Sequence, residues 1–207
     1  MSTVMHLAPG RRFEVVALAA ATISLLPLDA VRASVYATPP AFKGAWVGMS
    51  VDAWRDLRLP PGVGDLARPA CRSLAATGDR HGDTENARRT GADLTCFYSD
   101  PHGLDRSVRL DNGFRASQVR YAFVGGVLSE IRYQTSIDAY NDLTALYGRR
   151  YGKPVIETRD TVRTTFGVRP RVRQVWRTEF GSVELVDPAS DPTKIRIRIS
   201  NRNATTG

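Results

Sequence analysis

One stretch limits what this chain can fold into more than any other. Val119 to Pro154 reads VRYAFVGGVLSEIRYQTSIDAYNDLTALYGRRYGKP, a β-hairpin running directly into an amphipathic helix. Val119, Tyr121 and Phe123 alternate with Arg120 and Ala122, which puts an apolar, aromatic row on one face of a pleated strand. Gly125-Gly126 supplies the two positive-φ positions of a tight hairpin turn. On the return strand Leu128 and Ile131 are three apart, so strict alternation fails. Either a bulge lies near Ser129 and Glu130 or part of one face is wet. Thr135 or Ser136 caps the helix, and Ile137, Tyr140, Leu143, Thr144 and Tyr147 share one side of it. Arg149, Arg150, Gly152 and Pro154 end it with cations in the last turn, then a glycine, then a proline.

A chain of 207 residues favours one domain over residues 38–207, with room for two related halves, 46–134 and 135–201. The charge balance is less ordinary: 29 Lys and Arg against 21 Asp and Glu give +8. Such a surplus points toward anionic surroundings or partners. Residues 1–37 read as a cleavable leader and its lead-in. Arg11 and Arg12 form a basic start, Val15 to Leu28 is mostly apolar, and Ala30, Ala33 and Ala37 suit cleavage. As a helix the apolar run reaches roughly 21 Å, short of the roughly 30 Å hydrocarbon core, so a stable membrane span is disfavoured. The alternative is a buried core helix. Cleavage after Ala33 removes Arg11, Arg12, Arg32, Glu14 and Asp29, which takes the charge only from +8 to +7. The expected location is periplasmic or secreted.

Cys71 and Cys96 are the only cysteines. In an exported chain such a pair reads as a disulfide, and closing the loop between them is worth roughly 3.5 kcal/mol in the chain-entropy model. The alternative is two separate buried thiols.

The rest of the chain punctuates clearly. Pro39 and Pro40 hold an extended lead-in, and Ser50 caps a first helix that buries Val51, Trp54 and Leu57. Val63 to Gly91 reads as a long polar excursion pinned by Cys71, with a short helical piece at Cys71 to Ala76. Ala92 to Ser99 is a strand, and Ser107 to Leu110 a weaker one. After Pro154 three strands are expected, over Gly167 to Phe180, Val183 to Val186 after a turn at Gly181-Ser182, and Lys194 to Ser200. Trp46, Trp176 and Phe180 read as core. The sum is an α+β fold: an antiparallel sheet with two helices packed on one face, in two helix-then-strands halves.

The Gly48-Met49-Ser50 helix opening, followed by small antiparallel sheets, resembles small exported α+β modules of the β-lactamase-inhibitor-like and outer-membrane-assembly lipoprotein-like kinds. The resemblance implies a fold and no function. The chain lacks the lipid-attachment cysteine of the lipoproteins after its leader, so their anchoring does not carry over.

Recognisable catalytic patterns are missing. There is no G-x-S-x-G elbow, H-E-x-x-H pair, phosphate-binding loop or dinucleotide glycine pattern, and no catalytic residue, metal ligand or cofactor is assigned. His102 beside Asp100, Asp105 and Asp111 admits a cation site, or an enzyme acting on an acidic envelope substrate through loop 100–111. Turn chemistry explains the same residues. The stronger lead is basic. Arg171, Arg173 and Arg177 line one side of a strand, and Lys194, Arg196 and Arg198 one side of another, read as its sheet neighbour. Six cations so placed would form a patch for an acidic protein, a lipid headgroup or an envelope polysaccharide, with Glu184 in partial compensation. Nucleic acid is disfavoured outside the cytosol. A solvated face whose arginines guard against edge aggregation is the competing reading.

Overall fold

The computed structural model describes residues 38–73, 92–164, 167–188 and 191–202. The expected leader and most of the polar excursion, residues 74–91, lie outside them.

Two short strands, β1 (Ala41–Phe42) and β2 (Ala45–Trp46), close a hairpin around Lys43 and Gly44, both at positive φ. The Ser50 hydroxyl then accepts the Ala53 N–H at 3.2 Å and opens α1 (Val51–Arg55). Next come β3 (Arg68–Ser73), β4 (Leu94–Ser99), β5 (Val108–Arg109), β6 (Arg115–Val124) and β7 (Val127–Ser136). A single 3-10 turn, Ile137–Ala139, capped by Ser136, leads into α2 (Tyr140–Tyr151). Four strands complete the chain: β8 (Ile156–Thr164), β9 (Gly167–Arg177), β10 (Gly181–Asp187) and β11 (Lys194–Asn201).

The sheet runs β3-β4-β6-β7-β11-β10-β9-β8, with β5 added on β6, and every pairing is antiparallel. Each helix is thus followed by strands that climb from one edge of the sheet to its middle, where β7 meets β11. The fold is mostly antiparallel sheet with two short helices.

The central hairpin shows why its alternation fails. Gly125 and Gly126 take φ of 58° and 74°, as the tight turn requires. Phe123 pairs with Leu128 and Ala122 with Glu130, which leaves Ser129 as the extra residue of a bulge. Its hydroxyl bonds the Ala122 carbonyl at 3.0 Å. The bulge returns Leu128 to the apolar face with Ile131 and Tyr133. A second irregularity lies on β6 between Ser117 and Arg120, where Gln118 sits at φ 52°.

Register gathers the apolar residues on one face. Cys96, Tyr121, Ile131, Ile199, Val183 and Trp176 follow one another across six strands. Trp54 of α1 is fully buried, its ring 4.9 Å from that of Tyr121 and 5.4 Å from that of Tyr98. Tyr147 of α2 lies 5.4 Å from the Trp176 ring and shares a 2.8 Å hydrogen bond with the Tyr133 hydroxyl.

Several expectations are corrected. Cys71–Ser73 belongs to β3 and not to a helix, because Cys71 must pair directly with Cys96 across β4. Residues 156–164 form an additional strand, β8. It is the exposed edge of the sheet, and its charges on both faces hide the alternation that marks a half-buried strand. The reversal before β10 runs over residues 178–180, with Gly181 the first residue of the strand. A Cβ there would stand 2.1 Å from the Ser200 carbonyl oxygen, so glycine is needed for close approach. Trp46 and Phe180 are about two-fifths exposed, whereas Trp176 is buried. Ala45 takes the inward position of β2, and Phe180 tops the reversal.

Cys71 and Cys96 form a disulfide, and no free cysteine remains. Replacing both by alanine is expected to lower the unfolding free energy by about 3.5 kcal/mol, read from urea denaturation. A loss under about 1 kcal/mol would mean that the sheet alone holds β3 in place.

Candidate basic interface on the sheet

The interface starts from the alternation of β11. Ile195, Ile197 and Ile199 are buried, so Lys194, Arg196 and Arg198 must project from the opposite face. On β9, Trp176 and Gln174 are buried on the apolar side, which sends Arg171, Arg173 and Arg177 to the other. The two strands are not neighbours, as the sequence reading had them. β10 lies between, and puts them roughly 9.6 Å apart. They nevertheless share a face, because Val186 pairs with both Arg173 and Arg196.

Two arginines of the central hairpin join them. Arg120, Arg132 and Arg198 stand directly opposite one another on β6, β7 and β11. Their positions were visible as the polar residues of the alternation Val119-Arg120-Tyr121 and Ile131-Arg132-Tyr133, which sequence reasoning used only to place the core.

Like charges this close require counter-ions. Glu130 supplies one from inside the sheet: only 1% exposed, it binds Arg132 through one carboxylate oxygen and Arg198, at 2.5 Å, through the other. Arg173 meets Glu184 at 2.5 Å, as expected for that glutamate. Asp160 on β8 takes Arg171 in a two-pronged pair at 2.8 and 2.5 Å. That bond, before any other cause, holds the Asp160 carboxyl below its usual range and raises Arg171. Arg120 reaches Asp105 at 2.5 Å, and both it and Arg72 lie over the Phe97 ring, at 5.0 and 4.9 Å from its centre.

Half of the predicted patch is therefore paired within the chain: Arg171, Arg173 and Arg198. Arg177, Lys194 and Arg196 hold no ion pair among the described residues. The pairs do not bury the patch, since the Arg173 side chain keeps 44% exposure and that of Arg171 35%. Cations still outnumber carboxylates on this face.

Loop 100–111 is built differently. One Asp100 oxygen accepts the backbone N–H groups of His102 and Leu104, both at 2.9 Å, and these bonds lower its pKa, Leu104 most. Asp105 turns to Arg120, and Asp111 to Lys43. His102 is exposed and stands beside Asp100, whereas Asp105 and Asp111 are taken up by other partners. No group of three or more metal-ligating side chains occurs among the described residues. The carboxylates thus serve turns and ion pairs in three directions.

A cleft of about 490 Å³ lies beside α2, bordered by Tyr133 and Tyr147. Its rim mixes Lys43, Arg149 and Arg150 with Asp111 and Asp142, so it has no marked preference of charge. No described helix is long and apolar enough to cross a membrane.

Compared with known protein families, curated proteins and solved structures, the chain has no match in any of the three.

Proposed function

We propose that this protein is a non-catalytic binding module that works in the periplasm or outside the cell and docks an anionic partner on its arginine-bearing sheet face. The observation that carries the reading is the gathering of Arg120, Arg132, Arg173, Arg196 and Arg198 on one side of the sheet, on β6, β7, β9 and β11, in excess of the carboxylates among them. The reading takes both helices to lie on the other side, against Tyr121 and Trp176, so that the arginine side stays open. The Cys71–Cys96 bond supports a non-reducing compartment. The resemblance in element order to β-lactamase-inhibitor-like modules belongs to the same proposal, as an analogy of layout that names no partner.

The test is affinity capture from an envelope extract at low and moderate salt. An electrostatic partner is retained at low salt and released as screening rises. Reversing charge at four positions, with Arg171→Glu, Arg173→Glu, Arg196→Glu and Arg198→Glu, is expected to abolish the salt-sensitive capture, with a thermal transition that is lowered, because Arg198→Glu faces the buried Glu130, but still cooperative. Unchanged capture by a folded four-site variant would remove the basis of the reading.

A further inference from the structure

The basic face is a checkerboard with unpaired squares at Arg177, Lys194 and Arg196 among the described residues, and Arg196 is the one flanked by paired arginines. Arg171 with Asp160, Arg173 with Glu184, Arg132 and Arg198 with Glu130, and Arg120 with Asp105 each set a cation beside a carboxylate. Arg196 differs. It sits in register between Val186 and Gln134, with Arg173 one strand beyond Val186. Arg198 lies two residues along the same strand, roughly 7 Å away, and Arg132 is directly opposite Arg198. No carboxylate bonds Arg196 among the described residues, although as a residue it is exposed.

The surroundings act on its charge. Crowding at mid-sheet strips some hydration from the guanidinium, and this, followed by the like charges of Arg132, Arg198 and Arg171, lowers its pKa against the attraction of Glu184. An arginine remains protonated all the same. What it lacks among the described residues is a carboxylate in bonding contact, and its guanidinium fork suits a planar, two-oxygen acceptor.

The checkerboard also narrows the class of partner. A membrane or polyphosphate chain presents negative charge everywhere, and would lay it over Glu184 and Asp160 as well as over Arg196. A folded protein can place a carboxylate against Arg196 and donors against the acidic squares. We propose that Arg196, flanked by Arg132, Arg173 and Arg198, seats a carboxylate side chain of a folded protein partner. The proposal rests on the basic-face reading and gives that face a centre.

Calorimetric titration of the whole protein at low salt, with hexaglutamate as the carboxylate probe and tripolyphosphate as the phosphate probe, tests it. Hexaglutamate is expected to bind about tenfold more weakly to Arg196→Gln than to the native chain, as loss of a charge-assisted bidentate contact implies. Arg196→Lys, which keeps the charge but not the fork, should be intermediate. Arg55→Gln, at a cation of α1 paired with Asp52 and outside the patch, should stay within about twofold of native. Tripolyphosphate should bind no more tightly than hexaglutamate. Equal affinity of the native and Arg196→Gln proteins for hexaglutamate, an absence of saturable binding, or tighter binding of tripolyphosphate overturns the assignment. Should hexaglutamate affinity survive Arg196→Gln but vanish in the four-site reversal variant, the seat is wrong and the wider reading stands. If it survives both, neither stands.

Discussion

Replacing Glu130 by alanine is expected to lower the unfolding free energy by about 4 kcal/mol, among the largest losses available to one substitution in this chain. The carboxylate is almost fully buried, and its two oxygens are divided between Arg132 on its own strand and Arg198 on β11. Without it, Arg132 and Arg198 face each other directly across the β7–β11 seam, and Arg120 stands opposite Arg132 on the far side. Removing one member of a buried ion pair costs about 3–5 kcal/mol, because the charge left behind has no partner. Here the arginine side chains keep 20% and 30% exposure, so water takes back part of that cost. Urea denaturation of Glu130→Ala beside Glu130→Gln checks this. Glutamine keeps the volume and one acceptor, and should lose about half as much. A double substitution, Glu130→Gln with Arg198→Gln, should be less destabilising than the sum of its parts, because the two sites share one interaction. If Glu130→Ala costs under about 1 kcal/mol, the cluster is wet and its arginines need no internal counter-ion.

Trp54→Ala is the second large effect, again about 4 kcal/mol. α1 has only five residues, too few to hold as a helix by itself. It is fixed by the Trp54 side chain, which has no exposure and touches the rings of Tyr98, Tyr121 and Phe123. Alanine removes both the transferred area and the packing, and leaves a cavity among three aromatics that cannot close over it. Denaturation should show the loss, and amide exchange should show faster opening at Ala53 and Arg55 than in the native chain. Retention of slow exchange there would show that the Ser50 cap and the strands hold α1 without its tryptophan.

How far the fold could be read in advance depended on how strictly one face was buried. β11 alternates so cleanly that the sides of Ile195 and Arg196 follow from the sequence. The bulge at Ser129 was one of two readings that the sequence left open, the other being a partly wet face, because Leu128 and Ile131 cannot both be inward without one extra residue. β8 was missed for the opposite reason: at the exposed edge neither face must be apolar, and IETRDTVRT carries no period-2 hydrophobic signal. The candidate interface divided in the same way. The sides of the β9 and β11 arginines were readable, but their spacing depended on β10, whose place between them is a matter of long-range pairing. Glu130 was the hardest to foresee. A glutamate beside a bulge looks like a solvated residue, and only the convergence of Arg132 and Arg198 makes its burial tolerable.

The placing of β11 has a consequence for how the chain is born. Its eight residues follow every other described strand along the chain, yet they occupy the innermost lane of the sheet. Until they emerge, β7 and β10 each offer an unzipped row of amides and carbonyls, and the nascent polypeptide is two unsealed ribbons. A stop codon just before Lys194 would leave a product with sticky inner margins, bound for clumping or proteolysis rather than for work.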